Sequence, residues 1–326
     1  MSQVTRIIRR SVLGKPEKYN ILTFPTHERY ETQLCKTGHN FYAFQAEGMK
    51  EWNTAYADIP SNYYRLPLNS IYQGINYDFI LSQSKFGQFQ AAKQINVRLD
   101  IPMLSLEHTV PIPNWPDGQA QSLASMVGDV NVFISEHSRD AWGVPSENTT
   151  VIHHSVDTNT FRPAELDSQP YVLSVVNDFK NRDYCCNYSG WERITKGMNT
   201  RLVGNTEGLS KPASSIEELA EEYNKCQVFL NTSTFSPVPT TLLEAMACGC
   251  AVVSTATCMI PEVISHGENG MISNNEQELT SYVSQLLKDE DLRVKLGNAA
   301  RETILSKFSE SKFIQNWNLL FDGVIK

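Results

Sequence analysis

The sequence predicts an α/β protein of two domains that opens with a doubly wound parallel sheet. Its length, 326 residues with 41% hydrophobic composition, is sufficient for two ordinary cores. Near the start, strand, helix and strand patterns alternate over residues 19–44. Further on, a helix pattern at residues 240–248 leads directly into a strand that is apolar on both faces, as a central parallel strand should be.

The first half of the chain shows several buried-strand patterns. The predicted strands are 19–24, 41–44, 78–82, 102–106, 130–134 and 149–153. A helix lies between the first two and ends at Gly38. Residues 45–75 are rich in aromatics with little periodicity, so loops and short helices are predicted there, where recognition of a partner molecule often resides.

A composition break at residues 164–170 separates the two halves. Beyond it, the predicted strands are 171–176, 200–203, 228–231 and 250–254, the last followed by a polar loop with Ile260, Pro261 and Glu262. The predicted helices are 216–224, 240–248, 276–287, 291–308 and 310–321. This order predicts a second α/β domain.

Composition limits the class of protein. A net charge of −8 argues against a surface that binds nucleic acid as a whole, although a local basic cleft is compatible with it. No apolar run reaches 18 residues, so no stable membrane insertion is expected. Seven cysteines scattered through helix and strand patterns fit free thiols in a reducing compartment. The sequence predicts a cytoplasmic protein and does not indicate its oligomeric state.

The helix that begins near Thr240 has the features of an anion site. The backbone N–H groups of Thr240, Thr241 and Leu242 should lack partners inside the helix, and with the macrodipole they suit a diphosphate. Glu244 lies one turn further on, where an acceptor-only carboxylate could bind both hydroxyls of a ribose. The alternative is a capping Glu on an ordinary helix.

These residues also carry a resemblance. LLEAMACGCAVVST followed by IPEVISHGENGMI resembles the donor-binding signature of retaining glycosyltransferases with the GT-B architecture, of the family 4, group 1 type. Three further segments agree in order: HERYETQLCKTGHNFYAF, VIHHSVDTNTFRP and NKCQVFLNTSTFSP. The resemblance spans nearly the whole chain.

The resemblance implies two Rossmann-like domains facing across a cleft. Residues 1–165 would form an acceptor-side domain, residues 166–308 a nucleotide-sugar domain, and residues 309–326 a C-terminal helix that crosses back to the first domain. It also implies transfer of a hexosyl or pentosyl group from a nucleoside-diphosphate sugar to a hydroxyl, with retention of configuration and without a cofactor or metal.

The resemblance further assigns donor-binding residues. Glu244 would hold the ribose, and the family pattern places another Glu eight positions earlier, where this chain has Ser236 followed by Pro237. That departure leaves the sugar and its contacts open. Lys180 and Arg182 are candidates for the cations that clamp the diphosphate, with a surface loop as the alternative.

Two loops of the first half are further candidates. Relatives usually carry a Gly pair where this chain has Thr26 and His27, so this loop either binds a ligand less closely, contacts it through His27, or only caps a helix. His108 follows a strand at the edge where ligands collect in open α/β sheets. Relatives have a His near this turn that contacts the transferred sugar, so His108 is the candidate catalytic residue, with a structural His as the alternative.

The string Asp289, Glu290, Asp291 has the form of a metal-binding Asp-x-Asp motif. It falls at a turn between predicted surface helices with no strand before it, so we assign no metal to it.

The acceptor is the least determined part. ILTFPTHERYE, CKTGHNFY and VVNDFKNRDYCC resemble bacteriophage-encoded glycosyltransferases, some of which modify hydroxymethylated pyrimidines in DNA. Such an acceptor needs a flipped base and a basic rim, which suits an acidic chain poorly. A cell-surface glycan or lipid-linked acceptor is the alternative. A third reading, based on Ser236, the missing Gly pair and the short cationic segment, is a non-catalytic nucleotide-sugar-binding protein.

Overall fold

Two parallel β-sheets with helices packed around them make up the described part of the chain. The computed structural model describes residues 16–49, 51–54, 57–112, 114–145, 147–166 and 169–324. The chain divides into two units: Met1–Ile152 together with Phe313–Lys326, and His153–Lys312.

The first unit contains a seven-stranded sheet. Its strands are β1 (Asn20–Phe24), β2 (Asn40–Gln45), β3 (Tyr63–Leu68), β4 (Phe79–Ser82), β5 (Met103–Glu107), β6 (Val130–Phe133) and β7 (Thr149–Val151). The helices between them are α1 (Glu28–Cys35), α2 (Gln88–Leu99), α3 (Gln119–Ala124) and α4 (Glu136–Trp142). The strand order is β3-β2-β1-β4-β5-β6-β7, and every pair is parallel. Because β1 lies between β2 and β4, the order reverses there, and a ligand crevice is expected at the carboxyl ends of these strands.

The second unit contains a five-stranded parallel sheet. Its strands are β8 (Gln169–Val175), β9 (Thr200–Val203), β10 (Cys226–Asn231), β11 (Ala251–Ser254) and β12 (Met271–Ile272). Its helices are α5 (Asp183–Cys186), α6 (Tyr188–Ile194), α7 (Ile216–Lys225), α8 (Thr240–Ala247), α9 (Ile260–Val263), α10 (Glu276–Lys288) and α11 (Glu290–Lys307). The order β12-β11-β10-β8-β9 places its reversal between β8 and β10.

The predicted α/β class with two doubly wound parallel sheets is confirmed. The central strands β1, β4, β5 and β11 are buried along nearly their whole length, which is why their sequences are apolar on both faces.

Two local predictions were wrong. Residues 45–75 contain the edge strand β3, of which only Tyr63 and Leu66 are buried, so no alternating pattern marked it. The loop predicted around Ile260 instead holds the short helix α9, with Pro261 in its first turn, where a missing N–H costs no hydrogen bond.

Residues 153–163 pack in the second unit. The Val156 N–H donates to the Phe308 carbonyl at 2.9 Å, and the Arg301 guanidinium donates to the carbonyls of Thr158, Phe161 and Ala247 at 3.2, 2.7 and 2.6 Å. The chain therefore divides after Ile152, whereas the sequence predicted a composition break at residues 164–170 and a boundary after residue 165.

The C-terminal helix α12 (Glu310–Val324) supplies core residues to the first unit. Phe313, Trp317 and Phe321 are at most 2% exposed. The ring of Phe321 lies 5.4 Å from His39 and 5.6 Å from Phe79, and that of Phe313 lies 5.6 Å from Tyr30, measured between ring centroids. The predicted return of the C-terminal helix to the first domain is thus confirmed.

In the part of the chain that the structure describes, every helix is too short or too polar to span a lipid bilayer.

Candidate functional site

Polar residues collect at the carboxyl edge of the second sheet, where the strand order reverses. The loop after β10 is fixed from two sides: the Thr234 N–H donates to the Cys185 carbonyl at 2.9 Å, and the Thr257 hydroxyl donates to the Ser233 carbonyl at 2.9 Å. At the strand end, the Asn231 side chain donates to the Ser254 hydroxyl at 2.8 Å. These bonds fix the loops that lead into α8.

The loop after β8 lies at the same edge and is held against the loop after β9. The Asp178 N–H donates to the Asn205 carbonyl at 2.7 Å, and the Phe179 N–H to the Thr206 hydroxyl at 3.0 Å. Gly204 permits this approach: its φ is +133°, and a Cβ there would lie 2.1 Å from the Val176 carbonyl oxygen. The sequence therefore needs glycine at this turn.

Lys180 and Arg182, the predicted cation clamp, both lie in this loop and are exposed. Arg182 Nη1 donates to the Asn177 carbonyl at 3.4 Å, and Lys180 Nζ lies 5.8 Å from the centroid of the Tyr188 ring. Neither contact is an ion pair, so both side chains can reorient toward an anion.

Helix α8 begins at Thr240, as predicted, and Pro239 is its N-cap residue without a side-chain cap. The N–H groups of Thr240 and Thr241 have no hydrogen-bond partner among the described residues. The expectation for Leu242 was wrong: its N–H donates to the Pro239 carbonyl at 3.0 Å because the first turn is tight, and its side chain is fully buried in the core. Two free donors remain at this helix start.

Glu244 is only 7% exposed, and its Oε2 accepts a 2.9 Å hydrogen bond from the Tyr223 hydroxyl. Tyr223 is 1% exposed on α7. Burial, followed by the nearby Glu244 charge, raises the pKa of Tyr223 well above its ordinary value, so the hydroxyl remains a donor. The hydrogen bond from Tyr223 fixes the Glu244 carboxylate one turn inside α8. Sequence reasoning missed Tyr223, since a Tyr on the apolar face of a helix is typical of a core residue.

Ser236 and Pro237 are half-buried residues in the loop between β10 and α8. The preceding Phe235 N–H donates to the Cys185 carbonyl at 3.1 Å, which anchors the loop. Ser236 and Pro237 therefore lie close in sequence to the free donors of α8, and their role in donor binding stays a prediction.

Thr26 and His27 follow β1 at the reversal point of the first sheet. His27 is the N-cap of α1, and its Nδ1 accepts a 3.3 Å hydrogen bond from the Arg29 N–H. The helix-capping alternative is therefore present in the structure. Both residues also line an open pocket within the first unit.

His108 directly follows β5 at the same edge of the first sheet. Its Nε2 lies 3.3 Å from Gln83 Oε1, and its ring makes an edge-to-face contact with Tyr30 at 4.5 Å between centroids. Gln83 Nε2 in turn donates to Glu31 Oε1 at 2.5 Å and to the Thr23 hydroxyl at 3.0 Å. Sequence reasoning missed Gln83 and Glu31, because a polar side chain in a helix or after a strand carries no sign of burial.

Asp289 has a structural use. It is the N-cap of α11, and its Oδ1 accepts from the Leu292 N–H at 2.9 Å. The Asp-x-Asp string thus begins as a helix cap.

Residues 211–303 match the family described as glycosyl transferases group 1. The matched segment contains α7, β10, α8 and β11, and so includes Glu244, Tyr223 and the free donors of α8.

Two curated relatives match parts of the chain. N-acetyl-alpha-D-glucosaminyl L-malate synthase of Bacillus anthracis is 36% identical over 87 residues, 26% of this chain and 23% of the relative. N,N'-diacetylbacillosaminyl-diphospho-undecaprenol alpha-1,3-N-acetylgalactosaminyltransferase of Campylobacter jejuni is 33% identical over 177 residues, 49% of this chain and 46% of the relative. The chain thus spans less than half the length of either relative that it matches.

Solved structures match the fold over nearly all of the chain. HepE of Anabaena in complex with UDP has a TM-score of 0.73 at 15% identity and covers 94% of this chain and 100% of its own. Sucrose-phosphate synthase of Thermosynechococcus elongatus has a TM-score of 0.74 at 14% identity, covering 94% and 99%. A glycosyltransferase of Rickettsia africae has a TM-score of 0.75 at 17% identity, covering 95% and 100%. The fold is therefore that of GT-B glycosyltransferases.

Proposed function

We propose that this protein is a glycosyltransferase that moves a sugar from a nucleoside-diphosphate sugar to a hydroxyl acceptor, with retention of configuration. One arrangement supports this most: the two free N–H groups of Thr240 and Thr241 and the Tyr223-bound Glu244 carboxylate lie in the group 1 segment. The exposed cations of the β8 loop lie at the same sheet edge. HepE, with the same fold, was crystallised with UDP.

In this proposal the second unit holds the donor. Glu244 accepts the ribose hydroxyls, and the helix start with Lys180 or Arg182 neutralises the diphosphate as it leaves. Glu244 acts in binding and not as a base. The leaving phosphate accepts the proton of the attacking hydroxyl on the same face of the sugar, so the proposal needs neither a carboxylate pair of the glycosidase type nor a metal.

The first unit supplies His108 and the acceptor site. An acceptor on a glycan or a lipid-linked sugar is supported by the Campylobacter relative, whose name describes transfer to a diphospho-undecaprenol-linked sugar. A hydroxymethylated pyrimidine in phage DNA remains the second candidate, supported only by the phage resemblance of three segments. A soluble cytoplasmic protein fits either acceptor made inside the cell.

A panel of UDP-, GDP- and ADP-sugars tests the proposal. Incubation without acceptor should release the nucleoside diphosphate slowly, and mass spectrometry with lipid-linked sugars, glycosides, hydroxymethylated DNA and unmodified DNA should show one class that gains the mass of a sugar. The anomeric configuration of the product, read by NMR, tests retention. Tight nucleotide binding with no release and no product would instead favour the non-catalytic reading, to which Ser236 and the absent Gly pair point.

A further inference from the structure

The Glu107 carboxylate joins the loop after β4 to the loop after β5. Glu107 is the last residue of β5 and is 1% exposed. Its Oε2 accepts from the Lys85 N–H at 3.1 Å, and its Oε1 accepts from the Thr109 N–H at 3.0 Å and from the Thr109 hydroxyl at 2.7 Å. Glu107 and Thr109 are the chain neighbours of His108, so these bonds fold the backbone into a tight turn at the candidate catalytic histidine.

The far side of this turn is held by helix α4. The Thr109 carbonyl accepts from Trp142 Nε1 at 2.9 Å and from the Ser138 hydroxyl at 3.0 Å. Both donors belong to α4, where Trp142 is 3% exposed and Ser138 is fully buried. The backbone is therefore fixed on both sides of His108, which limits the directions in which its ring can point.

Lys85 is a buried cation beside the Glu107 carboxylate. It is 1% exposed, its Nζ donates to the Met126 carbonyl at 2.5 Å, and Nζ lies 5.7 and 5.9 Å from the ring centroids of Trp142 and Phe89. Contacts with a carbonyl and with two aromatic rings favour the charged ammonium. Burial lowers the pKa of Lys85, and the Glu107 charge acts in the opposite direction, so the two charges stabilise each other.

The hydrogen bonds of Glu107 favour its ionised form. All three bonds that the described residues make with its carboxylate come from donors, whereas a protonated carboxyl would need an acceptor. Burial raises the pKa of Glu107, while the bonds from Thr109 and Lys85 and the Lys85 charge lower it. A buried pair of charges stabilises a fold no better than apolar side chains of similar size. What this pair supplies is a fixed turn at His108.

We propose that Glu107, with Lys85 as its counter-ion, is a positioning residue of the transfer reaction, because it fixes the turn that presents His108 at the carboxyl edge of the first sheet. The inference rests on the proposed function for the part of His108 in transfer, but the effect of Glu107 on His108 can be measured without any substrate. A displacement of about 1 Å at a reacting group can lower a rate about a hundredfold, so a small movement of this turn is sufficient.

Glu107→Gln tests the carboxylate. The amide has the same size, but its NH2 group must face either the Lys85 N–H or the Thr109 donors, so one end of the bridge is lost. We expect kcat for transfer to fall about ten- to a hundredfold. The Kd for UDP or GDP and the KM for the donor should stay near their wild-type values, because the donor contacts are proposed for the other unit. A wild-type kcat would overturn the proposal.

Asp129→Asn is the matched control. The Asp129 carboxylate accepts from the Met103 N–H at 2.7 Å, at the amino end of the same strand β5. Its substitution removes a carboxylate bound to the backbone of β5 at the end away from His108, so kcat should not change. An equal loss of kcat in Asp129→Asn and Glu107→Gln would show a general effect on β5 and would overturn the proposal.

Lys85→Met separates positioning from stability. Glu107→Gln alone leaves the Lys85 ammonium buried without its counter-charge, so the melting temperature should fall. The double variant Glu107→Gln/Lys85→Met removes both charges and should recover part of that loss. Its kcat should stay as low as that of Glu107→Gln, because the bridge between the two loops is still incomplete. A kcat that recovers together with the melting temperature would show a merely structural role and would overturn the proposal.

Thr109→Val is a milder test that applies even if Glu107→Gln does not fold. Thr109 is exposed, and Val keeps its shape and its backbone N–H while removing the hydroxyl that donates to Glu107. We expect normal melting and a fall in kcat of about two- to tenfold, as for one lost hydrogen bond. An unchanged kcat would contradict the proposal.

NMR of the imidazole nitrogens measures the effect on His108 directly. The His108 signals are identified by their absence from the spectrum of His108→Ala, in the full chain without donor or acceptor. We expect these signals to shift or split in Glu107→Gln and to stay unchanged in Asp129→Asn. Unshifted His108 signals in Glu107→Gln would overturn the proposal.

The same proteins distinguish this inference from the proposed function. If the His108 signals shift in Glu107→Gln but the wild type neither transfers a sugar nor hydrolyses any donor, the proposed function fails and Glu107 still positions His108. If the wild type transfers a sugar and Glu107→Gln does so with the same kcat, the positioning inference fails alone.

Discussion

Glu244 is the residue on which donor binding should depend most. Changing Glu244 to Gln preserves its shape and its hydrogen bond from Tyr223 but removes the charge that accepts two ribose hydroxyls. A hydrogen bond to a charged group is worth roughly 1.5–3 kcal/mol, so donor affinity should fall about ten- to a hundred-fold by calorimetry. Tyr223→Phe serves as the companion variant and should weaken affinity less, because the carboxylate remains. Unchanged affinity in Glu244→Gln would remove it from the donor site.

Substitution of His108 should affect the chemical step and nucleotide binding differently. If its ring serves the transferred sugar, His108→Ala lowers kcat strongly while UDP or GDP binds as before, because the nucleotide contacts are proposed for the other unit. If the main role of His108 is its contacts with Gln83 and Tyr30, His108→Ala should instead lower the melting temperature of the first unit. Melting, nucleotide affinity and turnover on one preparation distinguish these results.

Glu31 also makes stability depend on pH. Burial raises the pKa of Glu31 from about 4.5 in the unfolded chain to about 8 in the folded chain, against the opposing effect of the hydrogen bond from Gln83. The folded state therefore binds more protons between these values, and stability falls as pH rises through that window. Relative to Glu31→Gln, the wild type should lose up to about 1.4 kcal/mol of unfolding free energy per pH unit from pH 4.5 to 8 and no more above it. Denaturant unfolding of both proteins at several pH values measures the difference, which should be smallest near pH 4. A difference that stays constant with pH would show that Glu31 is ionised in the folded protein.

The β8 loop is the element that should bind the diphosphate. Changing Lys180 and Arg182 separately to Ala should raise the Michaelis constant for the sugar diphosphate much more than that for a neutral acceptor, since both cations would face the leaving group. Lys196 is the matched control, because it is an exposed cation of the same unit in the turn before β9, at the opposite edge of the sheet. Wild-type behaviour of both loop variants would direct attention to Lys211, whose carbonyl accepts from the Gly204 N–H at 3.0 Å beside the β8 loop.

Elements buried on both faces were the ones that could be predicted. The strands β1, β4 and β11 and the helix α8 were placed within a residue or two, because their apolar runs end at turn residues. The edge strand β3 was missed for the opposite reason: most of its side chains face solvent, so its sequence has no strand period.

The residues of the candidate site also divide into those that could be predicted from the sequence and those that could not. The positions of Thr240, Glu244 and His108 after strand ends could be predicted from the order of patterns along the chain. Their partners could not, since Tyr223 and Gln83 lie 21 and 25 residues away and meet them only through the sheet topology. The pairing of Leu242 with Pro239 depends on the tightness of one helical turn, which the sequence does not specify.

At the scale of the whole molecule, the first unit depends on a segment from the far end of the chain. Trp317 of α12 is fully buried there, and Trp317→Ala should cost about 3–5 kcal/mol of its unfolding free energy. Leu319→Ala, on the same helix but 63% exposed, is the control and should cost little. Thermal unfolding with and without nucleotide shows which unit has lost stability, because the nucleotide is expected to stabilise the second unit only. Equal melting of the two variants would show that α12 is dispensable.

The discontinuity of the first unit has a consequence for biosynthesis. Its seven strands leave the ribosome before any part of the second unit, yet Phe313, Trp317 and Phe321 are translated only after the second unit is complete. Residues of the first core such as Phe79 therefore lack their aromatic cover while roughly 160 further residues are translated, on the order of ten to thirty seconds at ordinary elongation speeds. We expect the nascent first unit to be a chaperone client, and expression stalled before residue 313 to yield a protease-sensitive chain.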